Sequence, residues 1–212
     1  MPLVAILDSG VTQDHPHIGN VVGGIAIMPH GTAAEYVDWL GHGTAVAAAI
    51  HEKAPAAQLL IVKIFARQLA ASIDQLVMGI EWALDQGAHF INLSLGTQTE
   101  SHCDRLRPSI ARSQQMGSQI ISARHVNGNI CFPGSLQGVV GVEADPAVPR
   151  DEIRYSGEWV IASPFPRPIP GVPTERNLHG ISFAVANATG HLAGASHFRN
   201  TQSRNRPDIE TK

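Results

Sequence analysis

The chain has 212 residues, of which 43% are hydrophobic, 16% charged and 5% aromatic, with 20 Gly, 14 Pro and a formal net charge of −3. That length suits one globular domain burying roughly 70% of the surface its unfolded chain exposes, so stability calls for neither a metal nor a disulfide staple. The 15 Lys and Arg are scattered, with no basic stripe interleaved with aromatics, which argues against nucleic acid as a partner.

In chain order, short apolar runs alternate with longer helix-like segments, the pattern of a mostly parallel sheet covered by helices, an α/β architecture. Leu3 to Leu7 reads as a buried strand stopped by Asp8-Ser9-Gly10. It has no basic segment before it and is too short for a signal core or a membrane span, so a soluble, cytoplasmic protein without a membrane partner is expected. Gly41-His42-Gly43-Thr44 opens an Ala-rich helix running to His51, and Leu59 to Phe65 is the next strand. Ser72-Ile73-Asp74-Gln75 starts an amphipathic helix in which Ile73, Leu76, Val77, Ile80 and Leu84 recur at helical spacing until Gly87. Phe90 to Leu95 is strand-like, a helix is expected from about Pro108 to Met116, and strand-like runs follow at Ile120-Ile121 and Val139 to Val142.

Asp145 to Arg176 is proline-rich, which suits loops and edge strands. Ile181 to Ala195 is helix-compatible. Residues 1–196 are thus expected to form the domain, and 197–212 a polar, flexible tail. Cys103 and Cys131 lack C-x-x-C spacing, which excludes a structural zinc site and favours two free thiols over one disulfide. No dense Asp/Asn loop of the calcium-binding kind is present, so neither metal nor cofactor is expected.

Asp8-Ser9-Gly10, Gly41-His42-Gly43-Thr44 and Gly180-Ile181-Ser182-Phe183-Ala184 stand at the ends of these elements, and sites in parallel sheets form at the carboxyl ends of strands. One carboxylate, one imidazole and one hydroxyl are the set that an activated serine requires. The alcohol needs a base, and the base needs a carboxylate to fix its tautomer and stabilise its charged form. Each motif alone is weak, since Asp-Ser-Gly is a common turn and a serine often caps a helix. Most of the 11 histidines, His15 and His17 among them, have no comparable context.

The combination resembles the subtilisin family of serine peptidases from about Leu3 to Gly194. Asp8-Ser9-Gly10-Val11 with Asp14-His15-Pro16 is similar to its aspartate motif, Gly41-His42-Gly43-Thr44 to its histidine motif, and Gly180-Ile181-Ser182-Phe183-Ala184 to its serine motif. Ile91-Asn92-Leu93-Ser94-Leu95-Gly96 resembles an intervening block, and the order Asp, His, Ser is the subtilisin order. The resemblance implies a compact three-layer subtilisin-like fold and an acyl-enzyme mechanism, with Asp8 orienting, His42 as base then acid, and Ser182 as nucleophile. It also implies that Ser94, Leu95 and Gly96 bind the peptide or protein substrate as an extended strand, beside Gly180.

The sequence departs from the family at Ala123-Arg124-His125-Val126-Asn127-Gly128, where small residues ending in Gly-Asn are usual. Counted without gaps, Val126 occupies the place of the oxyanion asparagine. Three readings stay open: a one-residue bulge brings Asn127 into place; His125, or the Ser182 N–H alone, serves the oxyanion; or the site is silent and only binds peptide. Arg124 either enters the specificity pocket and favours an acidic substrate or points to solvent. Water and a peptide amine compete for the same acyl-enzyme, so the chemistry suits a maturation protease and a peptide cyclase alike.

Overall fold

The computed structural model describes residues 1–204, by backbone alone at Glu175 and at 196–204. The strands are β1 (Leu3–Asp8), β2 (Val21–Met28), β3 (Gly31–Ala33), β4 (Gln58–Lys63), β5 (Phe90–Leu93), β6 (Gln119–Ala123), β7 (His125–Val126), β8 (Asn129–Ile130), β9 (Val140–Ala144), β10 (Ile153–Ser156) and β11 (Trp159–Ala162). The α-helices are α1 (His42–Lys53), α2 (Ile73–Asp85), α3 (Cys103–Gln115) and α4 (Ile181–Arg204).

Among the described residues nine strands form one sheet in the order β10-β11-β9-β6-β5-β1-β4-β2-β3. Its centre is parallel, and only β2–β3 and β10–β11 pair antiparallel within it. Because β1, β4 and β5 carry apolar side chains on both faces, each face needs a cover. α1 and α4 pack on one face around Ile6, Ile61, Val46 and Val185, and α2 and α3 on the other around Leu7, Val62, Ile80 and Ile110. This is the expected three-layer arrangement. It sets the carboxyl ends of β1 and β5 side by side, with the start of α1 above them.

The start of α2 follows the sequence closely. Ser72 Oγ accepts from the Gln75 N–H at 3.2 Å while Gln75 Oε1 accepts from the Ser72 N–H at 3.0 Å, a reciprocal capping box. Elsewhere the boundaries move. The helix expected from Pro108 begins a turn earlier, at Cys103, with Pro108 inside it. Burial of Leu106 and Ile110 along one face outweighs the lost proline N–H. α4 continues through residues 197–204, assigned above to a tail; residues 205–212 of that segment lie outside the described residues. β2 and β3 are not evident in the sequence because Gly23, Gly24 and Gly31 dilute the β-branched signal. Both cysteines are free and buried. No described helix is long and apolar enough to cross a membrane, and the described residues contain no cluster of three or more His, Cys, Asp or Glu able to hold a metal ion.

Candidate active site

Asp8 ends β1 and is 1% exposed. Its Oδ1 accepts from the Ser9 N–H at 2.7 Å and lies 2.7 Å from His42 Nδ1. His42 is the first residue of α1, so the strand end and the helix start fix the two partners from opposite sides. Burial alone would lower the His42 pKa. The hydrogen bond and charge of Asp8, with the charge of Asp38 behind it, outweigh that and hold the imidazole above its ordinary value of 6.5.

Asp38, which the sequence reading passed over, organises this side. It is 7% exposed. Its Oδ1 accepts from Ser9 Oγ at 2.8 Å and from the Leu40 and Gly41 N–H groups, both at 2.9 Å. Its Oδ2 accepts from the Thr44 N–H at 2.8 Å and from Thr44 Oγ1 at 2.7 Å. Burial pushes this carboxyl up, but the bonds from Thr44, Leu40 and Ser9 together hold it below the usual carboxylate range. The network closes when Ser9 Oγ accepts from the Gly43 N–H at 2.8 Å. Gly43 has to be glycine, because a Cβ there would sit 2.2 Å from the Gly10 carbonyl oxygen. Beneath it, buried Lys63 Nζ donates to the carbonyls of Ser9 at 2.6 Å and Val37 at 2.7 Å. No local signal marks Asp38 in the sequence, because it stands three residues before the N-cap residue Gly41 and outside the capping position.

Ser182 is the second residue of α4, where backbone N–H groups lack intrahelical partners. Gly180 enters the helix at φ 148°, a conformation that side chains other than glycine's disfavour. The Phe183 ring, next to Ser182, lies 5.5 Å from the His42 ring. Ser182 Oγ donates to the Ser94 carbonyl at 3.1 Å, and among the described residues no hydrogen bond joins it to His42. The segment after β5 is anchored from α4: Thr189 Oγ1 donates to Asn92 Oδ1 at 3.0 Å, and Asn92 Nδ2 donates to Ser94 Oγ at 2.9 Å. The Leu95 carbonyl accepts from Ser122 Oγ at 3.3 Å. Gly96 packs so closely on the buried Cys131 that a Cβ at Gly96 would lie 2.4 Å from its sulfur.

The segment after β6 is a hairpin rather than a bulge. His125 pairs with Ile130 and Val126 with Asn129, leaving Asn127 and Gly128 at the tip with φ 52° and 79°. Asn-Gly with positive φ at both positions is the two-residue hairpin turn. It leaves Asn127 exposed, so a one-residue insertion at a strand end does not describe this segment. His125, Asn127 and Ile181 nonetheless line one cavity of about 400 Å³ beside the start of α4. His125 Nδ1 is 3.2 Å from Glu143 Oε1, which leaves Nε2 as the ring's other polar atom. Arg124 follows neither expectation. Its guanidinium donates to Glu143 at 2.8 Å and stacks on Trp159 at 3.8 Å, so it is neither a free cation in a pocket nor a solvated surface group.

The model of the Subtilase family matches residues 2–209. The chain belongs to the subtilase family. It is 30% identical over 211 residues to Subtilisin Savinase of Lederbergia lenta, an alignment covering 91% of this chain and 74% of that protein. It is also 30% identical over 209 residues to the Thermostable alkaline protease of Halalkalibacterium halodurans, covering 91% of this chain and 55% of that one. The chain thus spans between about half and three-quarters of the length of these relatives. Among solved structures it is similar to the prenylagaramide maturation protease PagA, with a TM-score of 0.68 and 26% identity over 95% of this chain and 77% of that one. A lanthipeptide protease superposes with a TM-score of 0.76 at 16% identity, over 97% of this chain and 76% of that one, a likeness of fold alone.

Proposed function

We propose that this subtilase is a serine endopeptidase that cleaves a peptide precursor through an acyl-enzyme on Ser182. The observation that carries the reading is the 2.7 Å contact between His42 Nδ1 and the buried Asp8 carboxylate. It presents Nε2 as the acceptor atom of a neutral imidazole, toward the start of α4. His42 takes the Ser182 proton as the hydroxyl oxygen attacks the scissile carbonyl, and returns it to the leaving amine. For that, the Ser182 hydroxyl gives up the Ser94 carbonyl for His42 as its acceptor; such catalytic hydrogen bonds often tighten only when substrate is present. The Ser182 N–H at the helix start stabilises the oxyanion; His125, whose Nδ1–H faces the Glu143 carboxylate, presents Nε2 as an acceptor and adds no donor. Ser94, Leu95 and Gly96 hold the acyl side of the substrate as an added strand. A role in peptide maturation is supported by the likeness to the prenylagaramide maturation protease.

The Ser182–Ser94 hydrogen bond also suits a silent peptide-binding domain, because it parks the hydroxyl away from the base. A fluorophosphonate probe separates the two readings. The proposed enzyme labels on Ser182 and loses labelling in Ser182→Ala and His42→Ala; unlabelled wild-type protein would leave the silent domain as the better reading.

A further inference from the structure

A second cavity, of about 560 Å³, opens beside the histidine helix, walled by the first turns of α1, the loop carrying His15 and His17, and the proline-rich loop before α4. Four of its lining side chains are cationic or protonatable: His15, His17, Arg167 and Arg176. Ala45, Ile169, Val172 and Leu178 give it an apolar wall, and no Asp or Glu lines it among the described residues. No described carboxylate pairs with Arg167 or Arg176. The acid nearest in effect, Glu52, is already bonded to Arg150 and Lys53. Burial, the charge of Arg167 and that of His15 all push the His17 pKa down, with Glu52 opposing them, and burial, then Arg167, likewise lower that of His51. The wall therefore presents guanidinium charge that nothing in the described protein neutralises.

The position of the cavity gives that charge a role. Leu95 packs with the α2–α3 face of the sheet, whereas Ala45 and Ile181 belong to the α1–α4 face. Asp8 lies at the carboxyl end of the central strand β1, with His42 and Ser182 at the starts of α1 and α4. Gly41 and Thr44, which flank His42, line this cavity, so a peptide whose acyl side lay along Ser94 to Gly96 with its scissile bond at Ser182 would have its leaving side beside it. We propose that the cavity is a leaving-side subsite that selects substrates carrying a carboxylate within the first few residues after the scissile bond, with Arg167 and Arg176 as the specificity-determining residues. Guanidinium forks match carboxylates in geometry as well as charge, and the apolar wall lets an aliphatic stem lie beneath them. This inference rests on the proposed peptidase reading.

The test is a peptide library with randomised acyl-side residues and Glu, Gln or a free C-terminal carboxylate at each of the first three leaving-side positions. Cleavage is read by mass spectrometry. A Glu-over-Gln ratio in kcat/KM of about tenfold or more is expected, falling towards one in Arg167→Gln/Arg176→Gln and at high salt, and kept in the exposed control Arg154→Gln. Preference for the free carboxylate over Glu would identify the chain terminus as the group recognised. Equal cleavage of Glu and Gln peptides by a protein whose Ser182 labels with fluorophosphonate overturns the subsite while leaving the peptidase intact. If Ser182 does not label, fluorescence anisotropy of Glu and Gln peptides with the unaltered chain decides: tighter binding of Glu that depends on Arg167 and Arg176 sustains the subsite, and equal binding removes it.

Discussion

The two sides of the Ser182 hydroxyl are built differently. On the imidazole side, Asp8, Ser9, Asp38, Gly43 and Thr44 form one buried hydrogen-bonded network, with two carboxylates and a lysine fixed from below. On the hairpin side, His125 to Ile130 is half-buried or exposed, and it meets the rest of the fold through Val126, which packs on the core, and through the contact of His125 with Glu143. A general base must be held in one tautomer and one direction, so its surroundings leave little room for change. An oxyanion donor needs only to reach one point in space, which side chains of several lengths can do from several places. On the proposed reading, the base side carries the peptidase chemistry, while the cationic cavity carries the choice of substrate.

The comparison breaks most sharply at Asp8. Asp8→Asn removes the charge that fixes the His42 tautomer and is expected to lower kcat/KM by about 10⁴-fold with little loss of melting temperature, measured on any cleaved peptide. A loss of less than tenfold would mean that the network does not serve His42. On the hairpin side, where the oxyanion relies on the Ser182 N–H, His125→Ala and Asn127→Ala are each expected to cost about twofold or less in kcat. A loss of about 10² to 10³ in either would give that side chain the oxyanion role.

Asp38→Asn sharpens the structural half of the contrast. An amide cannot accept from all five donors around this position, and a stability loss of about 2 to 3 kcal/mol is expected in urea unfolding. The same change at exposed Glu158, outside both regions, is expected to stay within about 0.5 kcal/mol.

The smallest effect is in pH. Because the His42 pKa lies above 6.5 and the base works only when neutral, kcat/KM rises with pH through a midpoint above 6.5. The stability contributed by the Asp8–His42 pair has the opposite sense: it is complete below the unfolded histidine value and fades as pH rises through the folded one. Ser9→Ala, which keeps Asp8, leaves the midpoint above 6.5; a midpoint below it would show that Asp8 does not charge-stabilise the imidazolium.

How far the sequence could be read follows the same division. Local signals placed what is local: Ser72 and Gln75 announced the start of α2, and the stop at Asp8-Ser9-Gly10 announced the end of β1. The order of three short motifs, compared with a family, brought Asp8, His42 and Ser182 together as candidates. Features made by tertiary contact were not legible. Asp38 reads as an ordinary loop acid until Ser9 and Thr44 close around it. Asn127-Gly128 has the sequence of a hairpin turn, but comparison with a pattern one residue out of register concealed it. His15 and His17 gain their setting only when Arg167 and Arg176 are brought opposite them from a loop more than a hundred residues away.

The most direct test of Ser182 activation is a rapid-quench experiment with a slight excess of an activated peptide ester at mildly acidic pH, read by intact mass and peptide mapping. The expected result is one acyl equivalent on the peptide containing Ser182, formed in a burst and absent in His42→Ala. A steady turnover with no adduct at Ser182, or an adduct that forms equally fast without His42, would contradict it.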